Sequence, residues 1–176
     1  MNKLIVSVVV VMAACSAPPQ QPMPIGVDPA CKGDALEPDA MPSPWFGAGV
    51  VDGGVPAGTQ YVISTTYLRL KPDEETKKLF TDSNGPIIQS LPAQDGLIAY
   101  RFISSEHCFT ARTLTVWRDL MAMQRFSAGD AHRNAMVMVT DLSRGGSAVQ
   151  HWTGTADDAT WERARTELAK DTGPQY

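Results

Sequence analysis

The sequence predicts an α+β domain in which an antiparallel sheet of four strands carries two long helices on one face. Four segments have strand length and are rich in β-branched and aromatic residues: 61–70, 97–104, 109–117 and 148–154. Other segments repeat apolar side chains at helical spacing. The predicted order is therefore β-α-β-β-α-β, followed by a terminal helix over residues 157–170.

The segment between the first two strands is predicted to be helical in two pieces. Pro72 suits a first helical turn, and Glu74 and Glu75 suit the positive end of the helix dipole. Asn84-Gly85-Pro86 is expected to end this helix, because proline lacks the amide donor and glycine is a weak helix former. A second short helical piece is predicted over residues 86–91.

The segment after the third strand is predicted to be one helix with a joint. Leu120, Met123 and Phe126 recur at helical spacing, and the pattern resumes after Gly129 and continues to Leu142. Gly129 is the expected break, and Asp130 is the expected N-cap of the second half, since its carboxylate can accept from free amide donors.

This element order is that of the ferredoxin-like split βαβ arrangement, with both long helices on one face of the sheet. The other face is also predicted to be apolar, because Ile63 and Tyr67 lie opposite Val62 and Leu68 on the first strand. A monomer would leave one apolar face exposed to water. The sequence therefore predicts a homodimer that packs sheet against sheet, a dimeric α/β barrel.

The first fourteen residues are typical of a bacterial lipoprotein signal peptide. Lys3 precedes a short apolar run, and Met12-Ala13-Ala14-Cys15 resembles the motif before which such signals are cleaved. Lipid on Cys15 would anchor the chain to a membrane of the bacterial cell envelope, on an extracytoplasmic side. A plain secretory signal is the alternative.

Residues 15–58 are predicted to be a tether between the membrane and a folded domain over residues 59–171, with a short tail at 172–176. Nine of the thirteen prolines and seven of the fourteen glycines lie between residues 16 and 58. Such a composition favours an extended, mobile segment. Trp45 and Phe46 are exceptions that either pack locally, which is the favoured interpretation, or contact a partner.

Beyond Cys15 the chain has two cysteines, Cys31 and Cys108. They are either two free thiols or one disulfide, which an oxidising compartment would favour. No metal site is predicted, since His107 beside Cys108 is the one neighbouring Cys/His pair and adjacent residues rarely share a tetrahedral site. Removal of residues 1–14 changes the net charge from −4 to −5 by loss of Lys3, so no nucleic-acid partner is expected.

The third strand and the helix after it carry a resemblance to a known family. Thr113–Trp117, Phe126 and Ala131-His132-Arg133 resemble the strand-to-helix segment of the antibiotic-biosynthesis-monooxygenase-like, dimeric α/β-barrel superfamily, over residues 60–155. Its members include cofactor-free quinol and polyketide oxygenases, haem-degrading oxygenases and domains without known activity. The resemblance implies a pocket between sheet and helices, with His132 facing it.

The candidate site is this pocket, with His132 as its chemical group and Trp117, Phe126, Met136 and Trp152 as its walls. Three roles remain open for His132: a buried structural residue, a general acid or base, or a haem ligand. No cofactor is predicted apart from that haem alternative, and the strand-one asparagine of the haem-degrading relatives has no counterpart. The expected function is non-catalytic binding of a small hydrophobic ligand or scaffolding. A monooxygenase-like enzyme is the alternative.

Overall fold

The computed structural model describes residues 28–32 and 35–170. Its strands and helices follow one another in the predicted order. The strands are β1 (Tyr61–Arg69), β2 (Leu97–Ser105), β3 (Thr110–Trp117) and β4 (Ala148–Gly154). The α-helices are α1 (Glu74–Ser90), α2 (Leu120–Ser127), α3 (Asp130–Val137), α4 (Val139–Leu142) and α5 (Trp161–Leu168). The strands lie in the order β2-β3-β1-β4 and every neighbouring pair is antiparallel, so the predicted ferredoxin-like sheet is confirmed. None of the helices in the described part of the chain is both long and apolar enough to span a membrane.

The two faces of the sheet have different covers, and we name each face by its cover. On the helix face, Thr66 of β1 and Thr113 and Trp117 of β3 lie under α1 to α4. On the strap face, Ile63 of β1 and Trp152 of β4 lie under α5 and an N-terminal segment, residues 35–58, which we call the strap. Strict alternation along β1 produces both faces from one strand.

The prediction of a mobile tether is wrong for residues 35–58, because the strap packs along the sheet. Its backbone pairs with the outer edge of β2: the Ser43 amide donates to the Phe102 carbonyl at 2.9 Å, and Phe46 exchanges hydrogen bonds of 2.8 and 2.9 Å with Tyr100. Strap side chains also pack on the strap-face core, among them Leu36, Ala40, Trp45, Val50 and Val55. Paired backbone donors and buried apolar groups compensate the conformational entropy lost by a Pro- and Gly-rich segment. Residues 1–27, 33–34 and 171–176 lie outside the described residues, and with them Cys15, the predicted signal peptide and the predicted tail.

The strap also removes the reason for which a homodimer was predicted. The second apolar face exists, but strap residues and Trp161 of α5 cover it within one chain. Sheet-to-sheet packing of two copies would therefore require displacement of the strap. The homodimer itself remains a prediction.

Helix α1 differs from its prediction, since it continues through residues 84–86 as one helix of seventeen residues. Asp73 caps it, with a carboxylate oxygen 2.7 Å from the Thr76 amide. Pro86 cannot donate to the Asp82 carbonyl, but both residues lie on the exposed side of the helix, where water can hydrate that carbonyl. The opposite side faces the cavity and contacts α3 and α4, and this tertiary packing outweighs the local preference for a break.

The joint in the second helical segment is observed between α2 and α3. The break at Gly129 is confirmed, but the predicted cap is wrong: Gly129 itself is the N-cap, and Asp130 is the first helical residue. The Asp130 carboxylate pairs with Arg133 one turn later, so it does not cap free amides. A second break at Met138 separates α3 from α4.

The terminal helix starts later than predicted. Residues 156–158 form a 3-10 turn in which the Asp158 carboxylate accepts from the Thr155 amide at 2.8 Å. Helix α5 then begins at Trp161, with Thr160 as its N-cap. This turn places Trp161 over the strap face.

Candidate functional site

The candidate site is an apolar cavity of about 300 Å³ between the helix face, α1 and the α3–α4 segment. Its walls are mainly apolar, with Phe80, Ile87 and Ile88 from α1, Met136 and Val139 from the opposite wall, and Leu68 and Phe102 from the sheet. Ligand sites in proteins are commonly concavities of this kind, with a few polar groups that fix orientation.

Helical periodicity explains how α1 contributes to this cavity. Phe80, Asn84, Ile87 and Leu91 are spaced by four, three and four residues, which places them on one side of a continuous helix. All four line the cavity. The sequence prediction missed them because it ended the helix at residues 84–86; the unbroken 80-84-87-91 spacing was the signal that would have found them.

Helix α3 brings His132 to the opposite wall of the cavity. His132 and Phe126 line the cavity, as do Ala135, Met136 and Val139. The imidazole is half-buried, and its edge meets the Phe126 ring at 5.1 Å between centroids. The predicted orientation of this helix toward the interior is therefore observed.

The hydrogen bond of His132 determines which ring nitrogen is left for a ligand. Nδ1 lies 3.1 Å from the carbonyl oxygen of Ser127. A carbonyl oxygen only accepts, so Nδ1 carries the proton and donates. Burial lowers the pKa of His132, partly offset by this hydrogen bond, and the ring is therefore neutral at pH 7. In this tautomer Nε2 carries the lone pair and can accept a hydrogen bond or a proton.

Polar atoms on the sheet side of the cavity are largely bonded to each other. The hydroxyls of Thr66 and Thr113 are 2.7 Å apart, and the Thr115 hydroxyl accepts from the Trp117 indole nitrogen at 2.8 Å. On α1, the side-chain amide of Asn84 donates to the Phe80 carbonyl at 3.0 Å. Because these groups already have partners, the wall behaves as a mainly apolar surface with few hydrogen-bonding demands.

Two of the predicted pocket residues have other positions. Trp117 is fully buried and stacks behind Phe126, with ring centroids 5.1 Å apart, so it supports the cavity wall without lining it. Trp152 is paired with Ile63 and lies on the strap face, so its assignment to the pocket is wrong. Val149, three residues earlier on β4, has the opposite parity and lines the cavity instead. The alternation along a strand predicts that adjacent side chains point to opposite faces of the sheet, but it does not predict which face the helices cover.

Two arginines of the strands contact the strap. Arg112 forms a bidentate pair with Glu37, at 2.9 and 3.2 Å, and both side chains are at most 3% exposed. Arg101 lies between two indole rings, 4.3 Å from the centre of Trp45 and 5.0 Å from that of Trp161. Trp45 therefore packs locally, and both arginines anchor the strap.

Cys31 and Cys108 form a disulfide with an S–S distance of 2.07 Å, so the pairing that the sequence left open is present in the structure. Their sulfurs and a His107 ring nitrogen lie within 4.8 Å of one another. Metal ions such as zinc bind the thiolate form of cysteine, and here both sulfurs are oxidised. The disulfide therefore ties the chain at Cys31, four residues before the strap begins, to the loop between β2 and β3.

The residues of the cavity do not fit a haem group. Haem carries two carboxylates, which proteins commonly hold with cationic side chains. Among the described residues that line the cavity, Arg112 is the one Lys or Arg side chain, and it is ion-paired with Glu37. Phe126 also occupies the space at the edge of the His132 ring.

No family model and no curated protein sequence matches this chain. Similar solved structures include Rv0793 from Mycobacterium tuberculosis, with 16% identity, a TM-score of 0.47 and coverage of 52% of this chain and 92% of that one. SO0527 from Shewanella oneidensis has 16% identity, a TM-score of 0.49 and coverage of 57% and 97%. A structure described as an antibiotic biosynthesis monooxygenase has 11% identity, a TM-score of 0.46 and coverage of 52% and 95%. At these identities the likeness concerns the fold alone.

Proposed function

We propose that this chain is an envelope lipoprotein that binds a small, mainly apolar molecule carrying a hydroxyl group in the cavity on the helix face. The observation that carries the proposal is the cavity itself, about 300 Å³ with mainly apolar walls and His132 among its lining residues. That volume is at the lower end of the range of about 300–1,000 Å³ for small-molecule sites. The size and lining favour a one- or two-ring compound.

Both parts of the ligand have a physical counterpart in the cavity. Transfer of its apolar body from water to the walls formed by Phe80, Ile87 and Phe102 supplies the main driving force. Its hydroxyl donates to Nε2 of His132, which holds the lone pair because Nδ1 is bonded to Ser127. One such hydrogen bond contributes about 0.5–1.5 kcal/mol, so it selects the ligand more than it drives binding.

A pair of related probes tests this assignment. 2-Naphthol and naphthalene share an apolar body, and 2-naphthol alone carries a hydroxyl, so their affinities for the full chain can be compared by calorimetry. We expect 2-naphthol to bind more tightly, and His132→Leu to weaken 2-naphthol by about tenfold, equivalent to 1.4 kcal/mol, without weakening naphthalene. Equal affinities for both probes in the wild-type chain would remove the role of His132.

A second pair of variants tests the cavity as the binding site. Ala135 lines the cavity and Val137 on the same helix is 78% exposed, so Ala135→Phe fills the cavity and Val137→Phe leaves it open. Both variants should retain the wild-type circular dichroism spectrum. Binding of naphthalene should be lost in Ala135→Phe and kept in Val137→Phe; binding kept in both would place the ligand elsewhere.

The proposed location rests on the sequence before Cys15 and on the disulfide between Cys31 and Cys108, since structural disulfides persist mainly in oxidising compartments. The test is metabolic labelling of the full chain with radioactive palmitate in a bacterial host. Wild-type chain and Ser16→Ala should carry label and sediment with membranes, whereas Cys15→Ser should do neither. Membrane attachment of an unlabelled Cys15→Ser chain would contradict the lipid anchor.

A monooxygenase-like enzyme is the second candidate, and the tautomer of His132 favours it. A neutral imidazole whose Nε2 bears a lone pair can act as general base toward a phenolic hydroxyl in the cavity. The test is oxygen consumption with a hydroquinone as substrate, compared between the wild-type chain and His132→Leu. Consumption at the rate of the uncatalysed control would leave binding as the function of the cavity.

A further inference from the structure

The strap face contains a second cavity, of about 510 Å³, beside the end of the sheet that carries Arg69. It lies between β1, β4 and α5 and is separated from the apolar cavity by the thickness of the sheet. Unlike the apolar cavity, it is rich in cationic side chains. Among the described residues, its ionisable lining comprises Lys32, Tyr67, Arg69, Arg112, Glu162 and Arg165.

Arg69 is a cation without a counter-ion in this cavity. None of the described residues forms a hydrogen bond or an ion pair with its guanidinium, and its Nε is buried without a partner. Arg144 lies close by and donates 2.7 Å hydrogen bonds to the carbonyls of Leu70 and Cys108. Burial lowers the pKa of Arg144, and the positive charge of Arg69 lowers it further. Two like charges thus lie near each other without a carboxylate bonded to either among the described residues.

Tyr67 adds a buried donor to the same cavity. The residue is 7% exposed, and its hydroxyl has no hydrogen-bond partner in the described part of the chain. Burial raises the pKa of Tyr67, so the hydroxyl remains protonated and can donate. The Arg112 guanidinium covers one side of the ring, 3.9 Å from its centre, which fixes the ring in place. Buried polar groups are normally bonded, so an unbonded hydroxyl in a cationic cavity points to an acceptor that is supplied from outside.

The charge balance of the lining residues that the structure describes supports an anion. Glu37 neutralises Arg112, and Glu162 offsets one further cation. Lys32 at the surface and Arg69 inside remain as positive charges, and Arg144 adds to the local potential. A cavity with walls of low dielectric focuses such a potential on its contents.

We propose that this cavity binds a phosphate group, with Arg69 and the Tyr67 hydroxyl as its inner ligands and Lys32 at its rim. Arg69 and Tyr67 on β1 and Lys32, N-terminal to the strap, present three donors to the same cavity. A tetrahedral oxyanion can accept from all three because its oxygens point in several directions, whereas a planar carboxylate offers only two oxygens. Arginine forks also match phosphate geometry. The phosphate belongs either to a soluble phosphate ester or to an anionic phospholipid headgroup, and both present the same chemistry to these residues.

Calorimetric titration of inorganic phosphate into the full chain tests the site. The variants are Arg69→Gln, Tyr67→Phe and, as a matched control, Arg133→Gln, whose side chain is exposed on α3 away from the strap face. We expect Arg69→Gln to weaken phosphate binding by at least about tenfold and Tyr67→Phe by a few-fold, with no change in Arg133→Gln. Tyr67→Phe keeps the ring against Arg112, so its fold should be retained and its loss of affinity reports the hydroxyl. Equal affinity in all four chains, or no heat of binding in the wild-type chain, overturns the proposal.

A second arm distinguishes the two sources of phosphate. Cosedimentation uses the Cys15→Ser chain, so that no acyl group contributes, with vesicles of phosphatidylcholine alone or with added phosphatidylglycerol. A preference for phosphatidylglycerol that Arg69→Gln abolishes and Arg133→Gln keeps assigns the headgroup. Phosphate binding without any vesicle preference assigns a soluble phosphate ester. Vesicle binding that both variants lose equally shows attraction by surface charge alone and overturns the site.

Discussion

The two faces of the sheet are built from the same strands and yet are covered in different ways. On the strap face, Ile63 and Leu114 are fully buried under a segment held by a disulfide and a buried ion pair. On the helix face, α1 and α3 stand over Thr66 and Thr113 without filling the space between them. Covalent and ionic anchors are thus concentrated on the strap face, whereas the apolar cavity lies on the helix face. The comparison indicates that the contacts that hold the N-terminal segment and the apolar cavity are on opposite sides of one sheet.

The largest effect is expected from removal of the disulfide, which fixes the strap but does not touch the helix-face cavity. It links residues 77 positions apart, and the loop-closure estimate for such a length is about 4.5 kcal/mol. Cys31→Ser/Cys108→Ser should therefore lose about 4.5 kcal/mol in urea unfolding. Below the unfolding transition its affinity for naphthalene should remain that of the wild-type chain. A parallel loss of affinity would show that the faces are coupled.

The same double variant examines the predicted homodimer. Two copies can pack sheet against sheet only where the strap leaves the strap face, because Trp45 and Val50 cover it in the single chain. Light scattering at equal concentrations should therefore show a larger dimer fraction in the double variant than in the wild-type chain. If the wild-type chain showed as large a dimer fraction as the double variant, its dimer would require an interface on another surface.

The next effect concerns the buried pair of Glu37 and Arg112. Removal of one partner leaves an uncompensated buried charge, so Glu37→Gln should cost about 3 kcal/mol in urea unfolding. The double variant Glu37→Leu/Arg112→Met replaces both charges with apolar groups and should recover most of that loss. Lys78→Gln is the control, since the pair of Lys78 with Asp82 is exposed and its removal should leave the free energy of unfolding nearly unchanged. If Glu37→Gln proved as mild as Lys78→Gln, the pair would not anchor the strap.

The sequence predicted the sheet and the site helix better than the covers. Strand periodicity is a local property and survives folding, so β1 to β4 were placed within a residue or two. The strap was missed because its proline and glycine content indicates only local backbone preferences. Its docking depends instead on single side chains, such as Glu37 and Trp45, that contact residues far along the chain. His132 was located because helical spacing fixed its side. Trp152 was misplaced because alternation does not tell which face the helices take.

Truncations on the two faces sharpen the packing difference. Ile63 is 0% exposed on the strap face, and Ile63→Ala should cost about 3 kcal/mol, since a filled core leaves a cavity behind. Ile87 already borders open space, so Ile87→Ala should cost only about 2 kcal/mol, at the low end for such changes. Urea unfolding measures both. Equal costs would mean that the helix face is as tightly packed as the strap face.

The smallest effect is a pH dependence that belongs to the helix face alone. Burial lowers the pKa of His132 below its unfolded value, so the unfolded chain binds a proton more readily than the folded chain does. Stability should therefore be unaffected by this group above about pH 7 and should fall as the pH drops through the unfolded pKa of about 6.5 toward the lowered folded value.

His132→Leu should remove this decline, whereas His151→Gln, at an exposed position on β4, should keep it. Saturation with naphthalene excludes water from the ring and should steepen the decline in the wild-type chain. A decline that persists unchanged in His132→Leu would assign the titration to another group and would leave the neutral imidazole without support.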